Sequence, residues 1–484
     1  MRGLRAVRGN LPRLGLREIE KSGKGRKEVS NACARLKEAD FVAETILVGN
    51  GTLVTLGEKN RIIKNGAVLI ESNTIKDFGK TDELKSKNPR SEFIDASGKV
   101  VMPGLICAHH HLYSTFARGM AIPGEPAKNF VEILEKLWWK LDNILTKEDI
   151  YYSSLIPLIE CVKNGTTTII DHHESQSYQK GSLDEIAKAV NEIGIRSSLC
   201  LGTSDRYGRG KEGLEENERF LSLLKSRPSE LVKGMVGLHA AFTVNDDTLD
   251  KSVRLAKKYG VGIHVHCAED KADEDDSLKK YKMRVIERLN SHGALGEKSI
   301  AVHCVHVDKR EIDILKATGT NVVHNPESNM NNAVGCADVL GMMEKGIEVG
   351  LGTDGMSSDM LSQMRCAYLL HRHAKKDPRV AFLEAPAMLL NNNPKIVKRI
   401  AGWRVGEIAK GALADIILID YLPPTTLNEN NFLGHLIFGL VNATVDTTIC
   451  NGKILMKDKK LVGLDEKSIA QKASQLASEL WKRF

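Results

Sequence analysis

The chain has 484 residues, more than one ordinary hydrophobic core holds, so a large domain with a smaller companion is expected. Its formal net charge is +7, yet residues 1–40 carry eleven Lys or Arg against five Asp or Glu, a surplus of six that leaves about +1 for the rest. A body so nearly neutral offers no electrostatic footprint for nucleic acid, and no run is apolar for long enough to span a bilayer.

Residues 1–40, with five arginines and no acid before Glu18, are read as a disordered basic extension; an organelle presequence is the alternative to a cytoplasmic protein. The nine cysteines include no Cys-x-x-Cys pair and several sit in apolar runs, so they are expected as buried reduced thiols. From about residue 44 to 102, short β-like runs (Glu44–Val48, Ala67–Ile70, Thr74–Phe78) alternate with turns, and a second set lies at Ala414–Asp420 and Thr447–Gly452. Neither set alone makes a two-layer core. Residues 41–103 and 403–460 are therefore expected to meet in one composite β-sandwich, with residues 461–484 a C-terminal helix.

Between residues 104 and 402, apolar strands and helix-length segments alternate about every thirty residues, the size of a strand–helix unit. Eight strands are predicted, ending near His109, Asp171, Leu201, His239, His266, His303, His324 and Gly352, with helices over Ser182–Glu192, Asp246–Tyr259 and Leu278–His292. Eight such units predict an α/β fold, a closed (β/α)8 barrel whose active site lies at the carboxyl ends of its strands.

Those ends carry the chemistry. In a strand, residues i and i+2 share a face, so His109 and His111 after Pro103-Gly104 point together while His110 points away. His264 and His266 also share a face, but only His266 stands at the strand end, which makes it a ligand and His264 a packed or functional neighbour. Glu269 is read as a proton carrier at the head of the acidic run Glu269–Asp276, a segment otherwise expected as solvated loop. His303 is expected as a catalytic imidazole, His306 as structural, and Asp354 as both a metal ligand and a proton acceptor. Imidazoles and a carboxylate converging from separate strands, with one position left for water, are what a hydrolytic metal site requires. Zinc is the expected ion, one per subunit, and iron or manganese suits the same donors.

Other polar residues at strand ends are candidates for holding substrate: His172, His239, Thr243, His324, Asn325 and Asn329. Two motifs are set aside. Gly350-Leu-Gly352-Thr-Asp-Gly355 matches a dinucleotide fingerprint, but no initial βαβ unit surrounds it, and His172-His173-Glu174 lacks the Pro-Cys-x-x-Cys partner of the small zinc deaminases.

With these motifs in view, the chain resembles the amidohydrolase superfamily, in the branch of cytosine, guanine and S-adenosylhomocysteine deaminases and triazine hydrolases. Arg118 in its motif, Asp171-His-His-Glu174, Leu-Trp138-Trp139-Lys and Asn-Phe-Leu-Gly-His435 are similar to the aminohydrolases encoded in selenium-metabolism gene clusters. The resemblance implies one divalent metal held by His109, His111, His266 and Asp354, protons handled by Glu269 and His303, and substrate touched by His239. Binuclear relatives bridge two metals through a lysine ending strand four. Here that position reads Gly-Leu-His239-Ala, which implies a mononuclear site. The expected reaction is hydrolytic deamination of a small nitrogen heterocycle; opening of a cyclic amide or hydrolytic dechlorination on the same scaffold, or a non-catalytic scaffold protein, are the alternatives. A small molecule is the expected partner, with no nucleic acid or membrane, and a homo-oligomer is compatible with the chain.

Overall fold

The computed structural model describes residues 45–484; the basic extension expected over residues 1–40 lies outside the described residues. Five strands of the amino-terminal part are β1 (Thr45–Val54), β2 (Ile62–Glu71), β3 (Thr74–Lys80), β4 (Glu92–Asp95) and β5 (Lys99–Pro103). Four more come from the other end of the chain: β15 (Ile416–Asp420), β16 (Thr444–Cys450), β17 (Lys453–Lys457) and β18 (Lys460–Leu461). All nine hydrogen-bond into one sheet, in the order β18-β17-β16-β15-β5-β1-β2-β3 with β4 beside β1. The two ends meet at the antiparallel β5–β15 pair, where Ile416 stands opposite Pro103. Alternate residues from both sets, among them Val48, Val68, Ile94, Val101, Ile416 and Ile449, bury one shared apolar cluster, which is why neither set suffices alone. The hydrogen bonding is thus continuous where two separate layers were expected.

Eight parallel barrel strands follow: β6 (Leu105–His110), β7 (Thr166–His173), β8 (Arg196–Leu201), a fourth strand interrupted at Met235 into β9 (Val232–Gly234) and β10 (Val236–Ala240), β11 (Ile263–Cys267), β12 (Ile300–His303), β13 (Asn321–His324) and β14 (Val349–Leu351). They pair as β6-β7-β8-β9 and β10-β11-β12-β13-β14. Parallel bridges at His110–Asp354 and Thr203–Leu238 join the two groups into a closed ring. The floor of the barrel packs Ile106, Ile170, Ile300 and Val323 against Trp403 and Val405. Beneath it, the buried Arg196 guanidinium pairs with Asp415 at 2.9 Å and accepts no exposure, tying β8 to the chain-end sheet.

Helices fall between the strands. The helix Asp246–Tyr259 has the predicted bounds: Asn245 caps its first turn by accepting from Thr248 N, and Gly260 ends it in the left-handed region. The acidic run departs from expectation. It forms the helix Lys271–Tyr281, because Asp270 caps Ala272 N, Asp273 accepts from Ala268 N at 2.7 Å, and Glu274 accepts from Val285 N. The single helix expected over Leu278–His292 is broken at Lys282, whose φ of 60° stops the first helix before a second begins at Val285. The carboxyl-terminal helix covers Glu466–Arg483, with Lys460–Leu461 an edge strand. It lies against the helix Lys147–Lys163: Trp481 Nε1 donates to Phe116 O, and Arg483 pairs with Asp149.

Eight cysteines among the described residues are free thiols, six of them buried. No helix among the described residues is long and apolar enough to cross a membrane.

Candidate active site

The strand ends converge at the carboxyl mouth of the barrel. His109 Nε2, His111 Nε2, His266 Nε2 and Asp354 Oδ1 face one another: His111 to Asp354 is 3.1 Å, His111 to His266 3.2 Å, His109 to His266 3.3 Å and His109 to Asp354 3.8 Å. Donors on a tetrahedron with bonds of about 2.0–2.1 Å lie about 3.3–3.4 Å apart. The set has that size.

The far nitrogen of each ring is already engaged, which fixes the tautomer. His111 Nδ1 donates to His172 O at 2.6 Å, His266 Nδ1 to His239 O, and His109 Nδ1 to His264 Nε2 at 2.9 Å. Three bare imidazole nitrogens therefore point at one spot beside a carboxylate oxygen. Burial and the surrounding imidazoles push His109 well below its ordinary range and His266 down to about 3, so neither takes a proton near neutrality. Burial works against the charge of Asp354, but the surrounding imidazoles, His111 at 3.1 Å foremost, outweigh it and hold the carboxyl below the usual range. Lone pairs crowded in this way repel one another unless a cation lies between them, and the donor chemistry fits a divalent metal. His110 points away, to Ser358 Oγ at 3.3 Å.

Beside the donor set, His303 Nε2 has no hydrogen-bond partner and lies 3.4 Å from Glu269 Oε2 and 3.6 Å from Asp354 Oδ2. His303 and Asp354 both adopt positive φ, 70° and 55°, as does Ala268 at 47°. Such backbone persists only where the surroundings over-determine it, and it gathers at functional sites. Burial, then the neighbouring charge of Asp354, pushes Glu269 well above the ordinary carboxylate range. The Asn329 amide sits 2.8 Å from His303 Nδ1 and governs which ring nitrogen carries the proton. Replacing Asn329 by Leu is expected to lower kcat about ten- to a hundredfold with little change in KM, as steady-state kinetics would show.

A pocket opens above this cluster. His111, His266, Glu269, Asp354 and His239 line it. The other expected substrate contacts lie behind the wall. Thr243 holds His239 Nδ1 at 2.9 Å; His172 is fully buried and donates to Leu238 O at 3.0 Å; His324 faces His371 at 3.2 Å; Asn325 and Asn329 are fully buried. These residues support the wall and do not form it.

Three contributors escaped the sequence reading. A helical stretch with a π-turn over Leu134–Trp138 carries Phe130, Leu134 and Trp138 to the pocket, and such turns recur at functional sites. Phe242 and Met356 complete an apolar side. Glu174, one residue beyond β7, lines the pocket's inner wall. Only Trp138 and Glu174 left any mark in the sequence, as part of the motifs quoted for the resemblance.

A family model described as "Amidohydrolase family" matches residues 100–455. The chain is 34% identical over 444 residues to the 5'-deoxyadenosine deaminase of Methanosarcina mazei, covering 90% of this chain and 99% of that one. It is 32% identical over 424 residues to the 5-methylthioadenosine/S-adenosylhomocysteine deaminase of Desulforudis audaxviator, covering 86% and 95%. Among solved structures, an adenosine deaminase from Xanthomonas campestris with bound zinc superposes with a TM-score of 0.79 at 21% identity, covering 90% of this chain and 98% of that chain.

Proposed function

The chain belongs to the amidohydrolase family as a hydrolytic deaminase of a small nitrogen heterocycle, and from that membership we propose that its substrate is an adenine nucleoside without a 5'-phosphate, with 5'-deoxyadenosine as the type. The observation that supports this most directly is the pocket wall: among the described residues Glu174, Glu269, Asp273 and Asp354 line it and no Lys or Arg does, and an apolar side formed by Phe130, Leu134, Trp138 and Phe242 suits a flat ring.

A divalent metal held by His109, His111, His266 and Asp354 supplies the Lewis acid that makes water a nucleophile at neutral pH. Zinc, one ion per chain, is the proposed occupant, since three imidazoles and one carboxylate converge on one point and strand four ends in His239 where a bridging lysine would be needed. Asp354 Oδ2, which accepts from Ser328 Oγ at 2.6 Å, takes the proton of the attacking water, and His303 Nε2, 3.6 Å from that oxygen, helps to orient the water. Asn329 Nδ2 donates to His303 Nδ1 at 2.8 Å, so the neutral ring carries its proton on Nε2, on the side of Asp354 and Glu269. Glu269, steadied by Asn332 at 3.2 Å, protonates the ring nitrogen beside the amino-bearing carbon. The proton that Asp354 took from water passes to the amine, which leaves as ammonia, and the hydroxyl left on the carbon returns its proton to Glu269 as the carbonyl forms.

Metal analysis of the purified protein is expected to return one zinc per chain; two ions, the second at the end of strand four, would overturn the mononuclear reading. The substrate is tested by ammonia release from 5'-deoxyadenosine, with free adenine and pterins alongside. Turnover of the free rings with none of the nucleoside would sink the nucleoside reading.

A further inference from the structure

Glu174 is 1% exposed, and neither of its carboxylate oxygens has a hydrogen-bond partner although both are buried. Arg206 holds Asp142 Oδ2 at 2.8 Å and makes a longer ion pair, 3.5 Å, with Glu174 Oε2. His172 Nδ1 is 3.4 Å from Oε1, but His172 donates through Nε2 to Leu238 O, so the neutral ring offers Glu174 a lone pair and no proton. A buried carboxylate without a hydrogen-bond donor is costly, so the fold retains it against that cost at a position that opens into the pocket. The backbone makes room for it: a Cβ at Gly202 would lie 1.7 Å from Glu174 Oε1 and 2.6 Å from His172 Cε1.

We propose that Glu174 selects the sugar of the substrate, its two carboxylate oxygens accepting hydrogen bonds from the vicinal 2'- and 3'-hydroxyls of the ribose attached to the ring. The inference rests on the nucleoside reading above and follows from an inventory of donors. In an adenine nucleoside the 6-amino group is the leaving group and is consumed at the metal side, beside Glu269. The remaining ring nitrogens are acceptors. The only donors left on a 5'-deoxy nucleoside are the two ribose hydroxyls, and a carboxylate with two free oxygens matches a pair of adjacent hydroxyls in number and spacing. A free base would instead present a ring N–H, to one oxygen only.

The test compares adenosine with 2',3'-dideoxyadenosine on the zinc-loaded full chain. The protein is expected to prefer adenosine by about 10²-fold or more in kcat/KM, because a site built around a substrate hydroxyl strongly rejects the analogue that lacks it. In Glu174→Ala that ratio falls towards one, with zinc content retained; Glu174→Gln, which keeps one acceptor oxygen, recovers part of it. Gly202→Ala, which drives a methyl group into the carboxylate, lowers the ratio from the opposite side. Equal use of the two nucleosides by the unmodified protein overturns the role of Glu174 while leaving the nucleoside reading intact, and that measurement stands even where a variant fails to fold. A ratio unchanged in a folded Glu174→Ala overturns it as well. Turnover of free bases with neither nucleoside used defeats the nucleoside reading, and this inference with it.

Discussion

Glu269→Gln is expected to bind zinc as the unmodified protein does and to lose about 10²–10⁴-fold in kcat. The substitution is isosteric and keeps an amide oxygen and nitrogen within reach of Asn332 and His303, so the wall of the pocket should hold its shape. Glu269 stands outside the four converging donors: its Oε2 faces His303 Nε2 at 3.4 Å, and the ring, not the donor set, is what it touches. What a glutamine cannot do is give up a proton to the heterocycle and take one back. The same burial that pushes the carboxyl upward favours its protonated form before attack, the state a proton donor must occupy. Steady-state kinetics paired with metal analysis decides the matter. A fully active variant would remove Glu269 from proton transfer, and one that arrives without zinc would place it among the ligands.

The donor set was legible because each of its members ends an apolar run, and a strand that stops on a histidine announces both its length and the position of its mouth. His109 and His111 could be paired by the two-residue repeat alone, and the structure turns them to one spot as it turns His110 away. Depth along a strand was not legible. His172 and Glu174 share a face of the chain two residues apart, yet His172 is sealed beneath the pocket floor and Glu174 reaches the wall. Nothing local distinguishes them, since the boundary is set by the neighbouring strands. The same holds for His324, which turns to His371 on the helix Met360–Lys375. The acidic helix Lys271–Tyr281 was misread because a charge run is normally solvated, whereas here tertiary contacts bury Asp273 and Glu274 and use them to pin the turns on either side. The pocket's aromatic side comes from a segment with a π-turn, and its extra backbone residue has no sequence signature. Kinship to the deaminases stands on the family match and the relatives; the narrower likeness to selenium-cluster aminohydrolases rests on its motifs alone.

A 5'-phosphate on the same nucleoside is expected to lower kcat/KM by about 10³-fold, so that adenosine 5'-monophosphate is close to inert beside adenosine. Sites that take phosphate present guanidinium or ammonium groups, or a helix amino terminus, to a dianion that otherwise gives up its hydration uncompensated. Among the described residues, none lining this pocket is Lys or Arg. The closest arginine, Arg206, is itself buried against Asp142 at 2.8 Å and stacks 5.0 Å from the Trp139 ring, so it is not free to turn outward. Four carboxyl groups line the wall, and Asp354 among them holds its charge. Apart from the metal, whose charge Asp354 already shares, no cation in the wall offsets the cost of placing a dianion there, on the order of 4 kcal/mol, and about 1.4 kcal/mol is a factor of ten. The comparison is ammonia release from adenosine and from its 5'-monophosphate at equal concentration, in low and in moderate salt, with zinc supplied. If the monophosphate comes within about tenfold of the nucleoside in moderate salt, its phosphate lies outside the enclosure or meets a cation other than those of the pocket wall, and the acidic wall is not what excludes nucleotides.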